Sequence, residues 1–386
     1  MTGGNVSRFS WVPSHTGPIG IDFGTRFVRM LQLARHRGQL TITAYAQREM
    51  PPAIASSGEG ERLRVQAVKT MLAEGHFTGR DVVTALGWDD VQIRNLRVPC
   101  MPENEVAEAL RFEAADRFGL DPADAEIRFI VAGDVRQGTE TKQEAIVLGA
   151  PRATVQAQIS MLTRMGLNPV AIDVGPGAIF RSFERFLRRD EDHQQVNAFV
   201  DLGYSASRVI MSRGPELTFV KSVPIGGRRF DELVSEHLDL SLEEAAQIRI
   251  RLYRQHVAAM AGHQGAIDEE DKPVGETSAR AVIDALRPAL DQLSKEIGLC
   301  LRYCSVTFRG PRADAITVVG GEACNADILQ VLSDQVNLPF HPGRVTRNIA
   351  FEERLDGNER RAGQPEWATV LGLALKPVNE EAVVGS

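Results

Sequence analysis

The chain has 386 residues, of which 43% are hydrophobic and 25% charged, and a formal net charge of −7. That length allows two to three domains, and those fractions are ordinary for a globular protein. The acidic balance argues against a general nucleic-acid-binding role, four cysteines are too few for a disulfide framework, and no apolar stretch reaches transmembrane length.

Residues 1–17 read as a polar tail that lacks the apolar core of a signal peptide, which points to the cytosol. From Pro18 to Tyr45 the pattern predicts three antiparallel strands. The first, Ile19-Gly20-Ile21-Asp22-Phe23-Gly24-Thr25, ends in an Asp-x-Gly turn, and the apolar run Phe27 to Leu33 returns from it. Glu61 to Glu74 has helical spacing. Short strands follow at Val82 to Leu86 and Val91 to Val98.

A compact α/β segment comes next. It holds a helix from Glu103 to Phe118, strands Ile127 to Ala132 and Glu144 to Ala150 around a polar turn from Gly133 to Thr141, and a helix from Ala153 to Met165 stopped by Gly166. Glu103, Glu105, Glu108 and Glu113 read as a solvated helix face. Val170 to Asp173 is a strand, Gly177 to Leu187 a helix, and residues 188–192 a charged linker.

The opening hairpin is then written a second time. Ala198-Phe199-Val200-Asp201-Leu202-Gly203-Tyr204-Ser205 is a buried strand with an Asp-x-Gly turn, followed by the strand Arg208 to Met211 and a third from Leu217 to Val223. One Asp-x-Gly commonly only closes a hairpin. Two of them suggest related lobes that grip a phosphate from both sides. Glycine permits close backbone approach, successive N–H groups form an anion nest, and an Asp at each strand end can hold Mg²⁺ through water.

Arg228 to Leu238 is a helix, and Ser241 to Glu244 is a capping box opening another. Residues 262–277 read as a mobile loop, and Ala279 to Tyr303 as a long helix that Pro288 should kink. Ala315 to Val319 is a strand running into Gly320-Gly321, where a nucleoside can lie against backbone. Asp327 to Val336 and Glu366 to Leu375 are the last helices. Cys100, Cys300, Cys304 and Cys324 are expected as buried thiols, and His193, His237 and His263 lack ligand spacing.

Phosphate hairpin, connector helix, phosphate hairpin, nucleoside turn is the motif order of the actin-like ATPase superfamily. Within it the chain resembles the PilM family of type IV pilus assembly proteins, relatives of the division protein FtsA. The matching stretches include IGIDFGTRFVRMLQL, VPCMPENEVAEALRFEAADRFGLDP, MLTRMGLNPVAIDV, AFVDLGYSASRVIM, SVPIGGRRFDELVSEHLDLSLEEAAQIR, VVGGEACNADILQVLSDQVNLPF and WATVLGLALKP.

The resemblance implies an α/β fold with two RNase-H-like lobes around a nucleotide cleft. The first lobe would span 18–93, completed by 169–195 and 340–386, with a small α/β insertion subdomain at 94–168. The second would span 196–339. It also implies ATP and Mg²⁺ as ligands: Asp22, Gly24, Thr25 and Arg29 at the first phosphate loop, Asp201, Gly203 and Ser205 at the second, Gly320 and Gly321 at the adenosine, and Asp22 and Asp201 nearest the metal.

Departures from the family pattern weaken the enzymatic side. Gly175 and Pro176 stand where an acid commonly places the attacking water, leaving Asp173 as the catalytic candidate. Ala246 replaces a ribose-binding Glu, Arg249 replaces the following Lys, and Arg26 and Phe27 add bulk beside the first turn. The expectation is therefore a cytoplasmic scaffold, peripheral at the inner membrane, with weak or absent ATP hydrolysis. It would bind the N-terminal cytoplasmic peptide of a single-pass, PilN-like membrane protein, with the assembly motor and self-association as further contacts and no membrane insertion of its own. An active ATPase or sugar-kinase-like phosphotransferase and an FtsA-like filament former are the alternatives.

Overall fold

The computed structural model describes residues 15–36, 38–51, 58–121, 123–137, 139–187, 189–261, 273–308, 312–353, 355 and 364–377. Two sheets with one topology organise the chain. In the first, β1 (His15–Phe23), β2 (Phe27–His36) and β3 (Gln39–Glu49) form an antiparallel meander. β4 (Asp81–Leu86) then pairs parallel to β1, and β8 (Asn168–Val174) parallel to β4. The short β14 (Ala350–Phe351) extends the far edge.

The second sheet repeats this arrangement. β9 (Val196–Leu202), β10 (Ser207–Arg213) and β11 (Glu216–Val223) are the meander. β12 (Ile316–Val319) pairs parallel to β9, and β13 (Phe340–Pro342) parallel to β12. The expected α/β architecture of two RNase-H-like lobes is thus present, because a buried Asp-terminated strand feeds the same meander twice.

Helices cover the sheets. α1 (Gly58–Glu74) follows β3 and packs on β2 and β3. α4 (Gly175–Glu184) and α9 (Ala368–Ala374) lie between the lobes. Their Ile179, Phe180, Phe183, Val370 and Leu371 share one apolar cluster with Leu31 and Ile42 of the first sheet and Phe199 and Ile210 of the second. α5 (Gly227–Leu238), α6 (Leu242–Ala261), α7 (Glu276–Phe308) and α8 (Ala326–Val336) build the core of the second lobe around Phe230, Leu286, Leu293 and Ile328.

Between β4 and β8 the chain forms β5 (Gln92–Pro99), α2 (Glu103–Phe118), β6 (Ala125–Gln137), β7 (Glu140–Pro151) and α3 (Arg152–Arg164). β5, β7 and β6 make a third sheet in that order, covered by Val106 and Leu110 of α2. α3 instead sends Met161 and Leu162 into the cluster of Ile19, Ile21 and Val28 in the first lobe.

The third sheet also reaches the second lobe. Asn95 Nδ2 donates to the Val220 carbonyl at 2.8 Å. Glu144, fully buried on β7, accepts from Arg97 Nε at 2.8 Å and from the Tyr303 hydroxyl of α7. Arg97 also reaches Tyr303 and Thr307. A buried carboxylate is tolerated only when paired and hydrogen-bonded in this way.

Several local readings change. β6 and β7 run much further into the hairpin than the polar turn predicted at Gly133 to Thr141, because a register shift between Val131 and Gly133 absorbs the irregularity and pairing resumes. α7 starts at Glu276 and continues to Phe308 with Pro288 inside it. The predicted loop overlaps it at 276–277, and 262–272 lie outside the described residues, as does His263. α4 begins at Gly175, with Pro176 in its first turn, where a missing N–H costs nothing. The last helix starts at Ala368, after a short turn at Pro365–Trp367. Cys100 is exposed, whereas Cys300, Cys304 and Cys324 are buried, because Cys100 follows an edge strand rather than facing a core.

The capping box forms at Ser241 and Glu244. Glu105 and Glu108 are exposed. No helix among the described residues is long and apolar enough to cross a membrane.

Candidate functional site: the cleft between two Asp-x-Gly hairpins

A cavity of about 1080 Å³ opens between the lobes, and both Asp-x-Gly turns face it. The turns share one geometry. A Cβ at Gly24 would fall 2.8 Å from the Phe27 carbonyl oxygen, and one at Gly203 would fall 2.7 Å from that of Ala206. Only glycine fits where a turn folds back so closely. The two turns touch: the Thr25 and Ser205 hydroxyls are 2.8 Å apart. Gly320, at φ +94° after β12, and Gly321 line the same space. The structure therefore brings together Asp22, Gly24, Thr25, Arg29, Asp201, Gly203, Ser205, Arg249, Gly320 and Gly321 around one cavity.

Asp173 is not among the residues lining it. It sits at the end of β8, where Oδ2 lies 2.9 Å from both Arg181 and Lys376 and Oδ1 accepts from the Val174 N–H. Burial opposes its ionisation, but the two cations outweigh burial and hold its carboxyl below the ordinary range. A carboxylate so held is a poor proton acceptor. Gly175 and Pro176 face the cavity in its place.

Arg249 is also committed. It is buried between Asp231 and Glu322, and its Nη1 donates to the Gly227 carbonyl at 2.8 Å. It braces the wall of the cleft by joining α5, α6 and the segment after β12.

The charge pattern at the turns was only partly visible in the sequence. Asp22 lies directly across the hairpin from Arg29, and Asp201 directly across from Arg208. The Asp201 carboxylate, 5% exposed, accepts from Arg208 Nη1 at 2.5 Å, and Arg208 in turn lies 5.2 Å over the Trp88 ring. Arg29 lies 4.9 Å over Phe27 and 5.8 Å from the centre of Trp367. It has no hydrogen bond or ion pair among the described residues, and its Nε is buried without a partner. Burial pushes the Asp22 and Asp201 carboxyls upward, and Arg29 and Arg208 oppose that rise. Arg26 bonds Glu49 at 3.1 Å and stands over Tyr204.

Sequence reasoning missed Arg208, Glu322 and Trp88. Arg208 had a signal: it follows Asp201 by the same interval as Arg29 follows Asp22.

The Mg²⁺ expected at Asp22 and Asp201 does not fit this donor set. One oxygen of Asp201 is taken by Arg208. The other leaves room only for glycine at position 320, where a Cβ would fall 2.5 Å from it.

Comparison with known proteins places the chain. The family model for type IV pilus assembly protein PilM matches residues 20–254. A solved chain described as the PilM-PilN type IV pilus biogenesis complex is 24% identical, with 94% of this chain and 99% of that chain covered and a TM-score of 0.72. The ethanolamine utilization protein EutJ from Carboxydothermus hydrogenoformans is 13% identical, with 94% of this chain and 90% of that chain covered and a TM-score of 0.53. At those identities the structural likeness concerns the fold. The family model spans more than half of the sequence, and the protein belongs to the type IV pilus assembly protein PilM family.

Proposed function

We propose that this chain is the cytoplasmic, actin-like scaffold of a type IV pilus assembly platform, peripheral at the inner membrane. Its cleft holds ATP as a strut or switch, with hydrolysis weak or absent. Its docking groove, between the first lobe and the third sheet, takes the N-terminal cytoplasmic peptide of a single-pass, PilN-like membrane protein.

The observation that carries the strut reading is the fate of Asp173. The acid that precedes the connector helix is tied to Arg181 and Lys376 and does not line the cleft. The two glycine turns and Arg29, which has no hydrogen bond or ion pair among the described residues, still suit a phosphate chain. The partner reading is supported by family membership and by the solved relative, which is itself described as a complex of PilM with PilN. The edges of the third sheet are β5 and β6, and Ile130 and Val131 on β6 are exposed. An extended peptide can add to such an edge and fill apolar pockets.

The test pairs two measurements on the full chain. A synthetic N-terminal peptide of the partner, carrying a photocrosslinker, should bind and label β5, β6 or α2. Labelling confined to the second lobe would refute the groove. Steady-state ATP turnover should be near background, and robust turnover abolished by Asp173→Asn would replace the scaffold with an ATPase. Nucleotide-dependent filaments would favour the FtsA-like alternative.

A further inference from the structure

We propose that the cleft takes the triphosphate chain of a nucleotide without a divalent cation, Arg29 and Arg208 standing where the metal would be. This rests on the nucleotide-cleft reading above and changes what that cleft requires.

The inference begins with a repeated spacing. Both hairpins read Asp-x-Gly-x-x-x-x-Arg, Asp22 to Arg29 and Asp201 to Arg208. The antiparallel register sets each arginine opposite its aspartate at the mouth of the cleft. Two guanidiniums thus enter one cavity from two lobes.

Their states differ in a way that favours an anion over a cation. Arg208 bonds Asp201, the carboxylate a metal would need, and so sets a positive charge against it. Among the described residues Arg29 has no anionic partner bonded to it, although its Nε is buried. A divalent ion placed between the turns would meet two fixed positive charges and one free carboxylate, Asp22. A polyphosphate would meet the same two cations and the N–H groups of two tight turns. Guanidinium is suited to this role, because its planar fork bonds phosphate oxygens in pairs and stays charged at any physiological pH.

ATP binding to the full chain, measured by calorimetry in Mg²⁺ and again in EDTA, decides the matter. The affinities should agree within about threefold. Arg29→Gln, at a partly exposed residue without hydrogen bonds, should weaken ATP by about tenfold or more in both buffers, the loss of a charge-assisted contact. AMP should bind far more weakly than ATP, since the arginines read the distal phosphates. ATP binding that vanishes in EDTA would overturn the metal-free reading and leave the nucleotide cleft standing. AMP binding as tightly as ATP, or full ATP affinity in Arg29→Gln, would overturn the role of the arginines. No ATP binding in either buffer would overturn the nucleotide cleft itself, and this inference with it.

Discussion

The two Asp-x-Gly hairpins are the same object in backbone and different objects in charge. Both place an arginine across the ladder from the aspartate, and both fold the glycine onto the carbonyl three residues on. In the second lobe the arginine bonds its aspartate. In the first it lies over aromatic rings instead. The neighbours decide. Phe27 follows Gly24 by three residues and offers a π face to Arg29, with Trp367 beyond it, whereas the equivalent Ala206 offers no ring, and Arg208 meets Trp88 from outside its hairpin while keeping its bond to Asp201. A cation over an aromatic face is held by roughly 0.5–2 kcal/mol, enough to turn a side chain from an alternative of similar depth. Spacing sets where a guanidinium starts, and the shape of the surrounding side chains sets what it binds.

Breaking the closed hairpin should cost most. Arg208→Gln leaves Asp201 buried and uncompensated, so unfolding in urea should show a loss of about 3–5 kcal/mol. Arg29→Gln removes aromatic contacts and part of the charge that offsets the burial of Asp22, and should cost less, about 1–2 kcal/mol. Equal losses would erase the distinction between the hairpins.

Asp173→Asn comes next, because this carboxylate is paired as Asp201 is. Losing its contacts with Arg181 and Lys376 should cost about 2 kcal/mol at neutral pH. Its folded pKa lies below the unfolded one, so that stability is present above the ordinary carboxylate value and is lost as pH falls through the folded value. A variant as acid-sensitive as the parent would contradict the pairing.

Asp22→Asn should act in the opposite direction. The Asp22 pKa is raised by burial, so the native state binds more protons than the unfolded chain between the two values, and stability falls as pH rises through that window. The amide should therefore raise Tm near neutral pH, a gain on the order of 1 kcal/mol. A lower Tm would mean that Asp22 is compensated after all. Smallest is Thr25→Ala, which removes the bridge to Ser205 and should cost about 0.5–1 kcal/mol, read from the same denaturation curves.

How far the sequence carried the argument depends on how local each question was. The meanders, the strand after each, and the meeting of Asp22 with Asp201 follow from patterns a few residues long, and the duplicated turn made the pairing of lobes legible. The commitments of individual charges were not. Asp173 is held by Lys376, which lies 203 positions away. Arg249 reads as a nucleotide ligand until Asp231 and Glu322 are seen to claim it. Glu144 opens a predicted strand just after Lys142 and Gln143, with nothing local to mark it as interior, yet it is fully buried because its partners arrive from β5 and α7. Electrostatic pairing is settled by tertiary contacts that no short window contains.

That last group has a mechanical meaning. Arg97, Glu144, Tyr303 and Thr307 join the third sheet to the longest helix of the opposite lobe by bonds that water cannot easily replace. A tug on a segment annealed to β5 would run along the strand into α7 through stiff, short bonds. Whatever pulls on that strand would then be felt in the second lobe through α7.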